Sequence, residues 1–401
     1  MKILWAKTDF LHPTDRGGQI RTLETLRRLH ANHEIHYVAY DNPNQPEGVE
    51  RAGEYSTRAY PVNRPVPPRG SGAFLAQAAG NLFSDLPLAV GRYRSKAMQS
   101  QIRDLLSLHK FDSVVCDFLS VAPNFPDIGR AVLFQHNVET MIWRRHAEHA
   151  SGPVRRAYFQ LQASRMFQTE RRMCRDAAHV IAVSPNDATK MKDLFGIDNI
   201  SEVSTGVDLD YFRRPPVLPA PQHDIVFVGA MDWLPNIDGA RFFIDEILPI
   251  IRRSRPACSL VLAGRSPTPE ILAFADRDPL ITVTGTVPDV RPYLWNSRIS
   301  IVPLRIGGGT RLKIYEAMAA GTPVVSTPVG AEGLDVTNGS DISLAVDPGP
   351  FAASCLALLQ HDAQAASQST AALRLVESRF SWEQVGRAFE KILLQNAVRA
   401  R

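Results

Sequence analysis

The chain has 401 residues, enough for two domains of ordinary size, each with its own core. Hydrophobic residues make up 44% and charged residues 21%, which excludes a disordered chain. A formal net charge of +4 suits anionic small substrates but lacks the dense basic stripe of a nucleic-acid binder, so no nucleic-acid partner is expected.

The four cysteines, Cys116, Cys174, Cys258 and Cys355, are far apart, with no Cys-x-x-Cys pair and no clustered histidines. They read as buried reduced thiols, which points to the cytosol rather than to a zinc site or a disulfide framework. The apolar stretch Met1 to Lys7 is too short for a signal-peptide core, and no later run is long enough to cross a bilayer. The expectation is a cytoplasmic chain, with attachment at the inner face of the membrane left open.

Strands are predicted at Lys2 to Ala6, Glu34 to Tyr40, Ser113 to Cys116, Ala131 to Gln135, His179 to Val183 and Ile200 to Val203. A helix pattern spans Gln19 to Ala31. Prolines 43, 46, 61, 65, 67 and 68 predict a loop without regular structure. Arg213 to Gln222, with four prolines in ten residues, reads as an interdomain linker. A second series of strands follows at Asp224 to Val228, Ser259 to Ala263, Ile281 to Thr284, Ile299 to Pro303 and Pro323 to Ser326, with a final helix from about Trp382. Strands alternating with helices imply an α/β protein with parallel sheets covered on both faces. The predicted architecture is two Rossmann-like domains facing across a cleft: 1–212, a linker 213–222, 223–380, and a last helix 381–401.

The most informative segment runs from Ile299 to Gly321. A buried strand ends, Gly307, Gly308 and Gly309 turn the chain, Thr310 is placed to cap a helix, and Gly321 to end it. Glycines allow a ligand close to the backbone, and helix-start amides attract phosphate. Arg311 and Lys313 add cationic donors suited to a pyrophosphate. Glu316, one and a half turns into the helix, is placed to accept hydrogen bonds from ribose hydroxyls. A Walker A motif is absent, and Leu312 stands where a dinucleotide fingerprint needs a small residue. The plainer reading is a glycine turn with solvated basic neighbours.

Gly307-Gly-Gly-Thr-Arg-Leu-Lys-Ile-Tyr-Glu-Ala-Met-Ala-Ala-Gly-Thr-Pro-Val-Val-Ser326 resembles the nucleotide-sugar motif of the GT4 family of retaining glycosyltransferases with the GT-B fold. Supporting stretches are Gly17-Gly-Gln-Ile-Arg21, Gln135-His-Asn-Val-Glu139, Val180 to Ser184, Thr205-Gly-Val-Asp-Leu-Asp-Tyr-Phe212, Phe227 to Asn236 and Gly285-Thr-Val-Pro-Asp289. Within that family the chain looks most like bacterial transferases of exopolysaccharide synthesis.

The resemblance implies transfer of a sugar from a nucleoside diphosphate sugar to a carbohydrate or lipid-linked acceptor hydroxyl, with retention of configuration and without a cofactor. It implies that Glu316 binds ribose, that amides near Gly17 and Gly18 meet the donor phosphate, that His136 contacts the donor sugar and that the Val287 backbone meets the base. It also implies a last helix that crosses back to the first domain. Two departures stand out. The family's first motif glutamate is replaced by Gly308, and its Arg and Lys after the first strand of the second domain are missing at Met231 to Asn236. Arg311 and Lys313 are the expected substitutes.

Other features carry plainer alternatives. His136 alone is equally an ordinary strand-end histidine. Glu139 reads as a helix-start carboxylate favoured by the dipole. Asp15 and Arg16 border the glycine loop, where a solvated pair is as good a reading as a phosphate or acceptor contact. Asp208 and Asp210 read as capping rather than as a metal-binding pair, so no metal is expected. Arginines 155, 156, 165, 171, 172 and 175 form a basic run that reads first as a solvated helix face and second as a peripheral membrane contact. Two other functional classes remain: a sugar-nucleotide epimerase of the same architecture, and a non-catalytic nucleotide-sugar binding protein.

Overall fold

The computed structural model describes residues 1–14, 17–63, 67, 70–148, 150, 152–217, 220–306 and 312–397. The chain divides into two compact units, one of residues 1–204 together with the chain from Val385, the other Thr205–Gln384.

The first unit is built on a seven-stranded parallel sheet of β1 (Lys2–Ala6), β2 (Glu34–Asp41), β3 (Arg58–Asn63), β4 (Ser113–Asp117), β5 (Val132–Phe134), β6 (His179–Ala182) and β7 (Ile200–Glu202), in the order β3-β2-β1-β4-β5-β6-β7. The second holds a six-stranded parallel sheet of β8 (His223–Val228), β9 (Leu260–Ala263), β10 (Ile281–Val283), β11 (Ser297–Val302), β12 (Val324–Ser326) and β13 (Ser343–Leu344), in the order β10-β9-β8-β11-β12-β13. Central strands such as β1 and β8 are buried almost throughout, which is why they read in the sequence as unbroken apolar runs. In each sheet the strand order reverses beside the first strand, between β1 and β4 and between β8 and β11. Ligands of doubly wound folds bind at the carboxyl ends of the strands flanking that point.

One expectation is corrected. Arg58–Asn63, inside the predicted proline loop, is strand β3, paired with β2 from His36–Arg58 to Asp41–Asn63. Pro61 is tolerated because β3 is an edge strand, where a missing N–H faces no neighbour. The short β13 had no legible signal. The described part of the predicted linker is tied to the second unit: Trp295 Nε1 donates to the Phe212 carbonyl (2.9 Å), Arg214 to the Trp295 carbonyl (2.8 Å) and Gln222 N to the Asn296 carbonyl (2.9 Å).

The helix Trp382–Ala397 enters the first unit from Val385 onward. There Phe389 meets Trp5 and Phe134 with ring centroids 5.4 and 5.0 Å apart. Gly386 lies so close to Arg28 that a Cβ would stand 2.8 Å from the arginine's own.

Candidate functional site

In the first unit the groups gather past the carboxyl ends of β1, β4 and β5. The helix Gly17–His30 starts at the two glycines singled out in the sequence. A Cβ on Gly18 would sit 3.5 Å from His136 Nδ1, so the structure brings Gly18 and His136 together, while Gly17 faces open space. Asp15 and Arg16 lie outside the described residues.

Asp117, at the end of β4, is fully buried and joins groups far apart in the sequence. Its carboxylate accepts from Trp5 Nε1 (2.9 Å), Lys7 Nζ (2.9 Å), Thr22 Oγ1 (2.7 Å) and His136 Nε2 (2.7 Å). Burial alone would raise its pKa; Lys7 and His136 instead hold it well below the usual carboxylate range. Arg21 donates to His136 Nδ1 at 3.0 Å. An arginine only donates, so Nδ1 must carry the lone pair and Nε2 the proton. Burial pushes His136 down to about 3 against the pull of Asp117, so the ring is neutral. It is an oriented neutral imidazole, stacked on Phe118 at 4.7 Å, rather than a base awaiting a proton. Phe118 has φ of 87°, a strained conformation for a residue with a side chain, and such strain gathers at sites where surroundings enforce it.

Beside this network lies a cavity of about 360 Å³, whose lining includes Lys7, Asp9, Gln19, Arg92, Tyr93 and Glu139. Gln19 is 8% exposed, and its Oε1 has no hydrogen-bond partner among the described residues. Glu139 stands in the first turn of the helix Glu139–Glu148, as a helix-start carboxylate should, and Glu170 meets the amides of that turn. Glu170, from the helix Pro153–Asp176, accepts from Glu139 N (2.9 Å), Thr140 N (2.8 Å) and Thr140 Oγ1 (2.6 Å). This leaves Glu139 to line the cavity, its pKa raised by burial.

In the second unit, Gly307, Gly308, Gly309, Thr310 and Arg311 lie outside the described residues. The helix Leu312–Ala319 buries Ile314, Tyr315, Ala317 and Met318, and leaves Lys313 and Glu316 half-buried on one face, three residues apart. Gly321, at φ 71°, ends the turn after the helix as expected. Lys313 reaches the carboxyl end of β8: its Nζ donates to Asn236 Oδ1 at 2.8 Å and lies 4.8 Å from the centre of the Phe227 ring. The loop at Met231 to Asn236, which carries no Arg or Lys, is thus reached by a lysine from the motif helix. Glu316 makes no hydrogen bond among the described residues, and burial pushes its pKa up to about 7, with Lys313 pulling the other way. Val287 follows β10 at the same end of the sheet.

Asp208 caps the helix Leu209–Phe212 by accepting from Tyr211 N (2.9 Å), and Asp210 pairs with Arg213. Among the described residues no three His, Cys, Asp or Glu side chains gather as a metal cluster. Sequence reading did not single out Lys7, Arg21, Asp117, Glu170 or Asn236 by themselves; of these, Arg21 and Asn236 lay within stretches already singled out.

Residues 16–211 match the profile of Glycosyltransferase Family 4, and residues 222–361 match that of Glycosyl transferases group 1. A 44.6 kDa protein in the cps region of Klebsiella pneumoniae is 20% identical over 363 residues, spanning 88% of this chain and 89% of that protein. Glycogen synthase of Mycobacterium tuberculosis is 26% identical over 264 residues, 62% of this chain and 60% of the synthase. Among solved structures, Anabaena Alr3699/HepE in complex with UDP and glucose has a TM-score of 0.65 at 14% identity, with 98% of this chain and 100% of that one covered. Sucrose-phosphate synthase from Thermosynechococcus elongatus has a TM-score of 0.69 at 16% identity, covering 98% of both. At these identities the structural likeness speaks for the fold.

Proposed function

The chain belongs to the family 4 glycosyltransferases of the GT-B fold, and on that premise we propose that it moves a sugar from a nucleoside diphosphate sugar to an acceptor hydroxyl with retention of configuration. The carrying observation is Glu316: a half-buried carboxylate without a hydrogen-bond partner among the described residues, three residues from Lys313 on the same helix face. That pairing suits a ribose diol next to a diphosphate. Alr3699/HepE, of the same fold, holds UDP and glucose.

The proposed roles follow. Glu316 grips the ribose, Lys313 balances charge on the diphosphate as the bond to the sugar breaks, and the Val287 backbone meets the base. Arg311 and the amides of Gly308, Gly309 and Thr310 join Lys313 at the phosphates. In the first unit, amides at Gly17 and Gly18 and the neutral ring of His136 contact the donor, and the cavity beside them takes the acceptor. Its mix of carboxylates, Arg92, Tyr93 and a Gln19 Oε1 without a partner among the described residues suits a hydroxyl-rich acceptor such as a carbohydrate, free or lipid-linked. No carboxylate among the roles above is assigned as a covalent nucleophile. The acceptor oxygen bonds to the anomeric carbon on the face from which the diphosphate leaves, and its proton passes to the departing phosphate oxygen. No metal or cofactor is invoked, and surface polysaccharide synthesis is the proposed setting.

The test incubates labelled nucleotide sugars with and without carbohydrate acceptors, in the presence and absence of EDTA. Acceptor-dependent nucleotide release, a product keeping the donor's anomeric configuration by NMR, and a rate unmoved by EDTA are expected. Sugar conversion without acceptor would make the protein an isomerase, and binding without turnover a binding module.

A second reading concerns location: cytoplasmic, at the inner face of the membrane. No helix among the described residues is long and apolar enough to cross a bilayer. However, the helix Gly72–Asn81 carries no charged side chain, and Leu75, Leu82 and Phe83 are 61%, 49% and 95% exposed on and just after it. Arg165 donates to the Asn81 and Leu82 carbonyls (both 2.8 Å), and Arg92 lies 5.6 Å from the centre of the Phe74 ring. An apolar surface edged by arginines is complementary to anionic lipid. Co-sedimentation with phosphatidylglycerol vesicles, persisting at moderate salt and lost in Phe83→Ser, is the expected result; equal recovery without vesicles would reject it.

A further inference from the structure

Asn236 opens a question the reaction scheme does not answer: what holds the flexible Lys313 side chain where a diphosphate needs it. Asn236 stands in the first turn of the helix Leu234–Phe242 and is 2% exposed. Its Nδ2 donates to the Ala230 carbonyl at 2.8 Å, and its Oδ1 accepts from Lys313 Nζ at 2.8 Å. Each contact fixes the other. A carbonyl accepts only from the amide nitrogen, so the Ala230 bond turns the amide oxygen toward the ammonium. The Phe227 ring confines Lys313 from another side, at 4.8 Å from its centre.

Space for this arrangement comes from Gly229, directly after β8. A Cβ there would stand 2.6 Å from Asn236 Nδ2 and 2.8 Å from Lys313 Nζ, so any larger residue must displace one or both. The chemistry of the holder also matters. An aspartate of the same shape would add a negative charge against the ammonium it holds, whereas the neutral amide directs it without adding one.

Resting on the reading of Lys313 as a donor-diphosphate contact, we propose that Asn236 is the positioning residue that aims Lys313 at the diphosphate, with Gly229 keeping the space clear. Asn236 itself touches no substrate. This arrangement does the work that a cation on the loop after β8 would otherwise do.

The experiment is calorimetric titration of the full chain with UDP, GDP, ADP and dTDP, and with the parent nucleoside of whichever binds best. It compares wild type with Asn236→Ala, Asn236→Asp, Lys313→Met, Gly229→Ala and Asn236→Ala combined with Lys313→Met, with melting temperatures taken for all. Lys313→Met and Asn236→Ala are each expected to weaken the diphosphate about tenfold or more while leaving the nucleoside unchanged. The combined variant should be no worse than Lys313→Met alone, because the amide acts only through the lysine. Asn236→Asp should bind as weakly as Lys313→Met, and Gly229→Ala should lose the diphosphate selectively as well.

Wild-type diphosphate affinity in Asn236→Ala, equal losses for nucleoside and diphosphate, or additive losses in the combined variant would overturn the positioning role alone. Should any single variant fail to fold, the remaining ones decide by the same criteria. Failure of the wild type to bind any of the four diphosphates would overturn the donor-site reading itself, and this inference with it.

Discussion

Replacing Glu316 by glutamine is expected to abolish most donor binding and at the same time to raise the melting temperature at pH 8. Burial pushes this carboxyl from an ordinary value of 4.5 up to about 7. Between those two pH values the unfolded chain gives up its proton while the folded chain keeps it, so stability falls as pH rises through the window. Above pH 7 the full cost of ionising this partly desolvated carboxylate is present, and glutamine escapes it. The variant should gain about 1–3 kcal/mol at pH 8 and almost nothing at pH 4. Binding runs the other way. Two ribose hydroxyls donating to an ionised carboxylate form charge-assisted bonds, and losing them should weaken nucleotide affinity about a hundredfold. Wild-type affinity should also rise with pH up to about 7 and then level, by at most about tenfold per unit, and the glutamine variant should lack this component. Calorimetry from pH 5.5 to 8.5 with thermal melts checks both halves; a variant that melts lower at pH 8, or binds nucleotide as the parent does, contradicts the assignment.

The largest loss of stability is expected from Asp117→Ala. The carboxylate is wholly buried and satisfies Trp5, Lys7, Thr22 and His136 together. Its removal strips Lys7, 3% exposed, of its carboxylate partner, and an ion pair broken on one side costs about 3–5 kcal/mol. Asp117→Asn should cost less, since the amide oxygen still accepts, and adding Lys7→Met to Asp117→Ala should recover part of the loss, a non-additivity of at least about 1 kcal/mol. Acid makes an independent check. His136 is held neutral, with its pKa pushed from 6.5 to about 3, so between those values the unfolded chain takes up a proton that the folded chain refuses. Wild-type stability should therefore fall as pH drops below 6.5, and His136→Gln should lose that part of the slope. Urea titrations of these four variants, of Lys7→Met alone and of the wild type from pH 4 to 8 measure both effects. Additive losses in the Lys7 and Asp117 pair would contradict the shared network.

Strands were legible where burial on both faces wrote apolar runs, as in β1 and β8, whose predicted and observed limits agree within a residue. The edge strand β3 was hidden because Pro61 signals a loop locally, and only its place in the sheet makes proline harmless. Gly18, His136 and Glu316 were singled out because their neighbours form contiguous motifs. Asp117 was not: its partners are Trp5, Lys7, Thr22 and His136, and no local spacing records that the sheet brings them together. Glu170 shows the same limit, since it meets the amides at the helix start of Glu139 from another helix. At Met231 to Asn236 the sequence offered Lys313 as a substitute cation, but not the asparagine that receives it. A cation can be absent from a loop and present in the space it lines, when a neighbouring helix supplies Lys313 and Asn236 receives it.

The tail of the chain has a consequence for the order of its synthesis. Trp5 and Phe134 take Phe389 as their packing partner, yet about 180 residues of the second unit are translated between Ser204 and Val385. At about 5–20 residues per second, the amino-terminal sheet waits roughly 10–40 seconds on the ribosome with an apolar face uncovered. The second unit, by contrast, is continuous from Thr205 to Gln384 and has all its residues in hand first. The protein should therefore mature from the later half backward, and the interval before Phe389 emerges is when the nascent polypeptide is most exposed to aggregation and most in need of a chaperone.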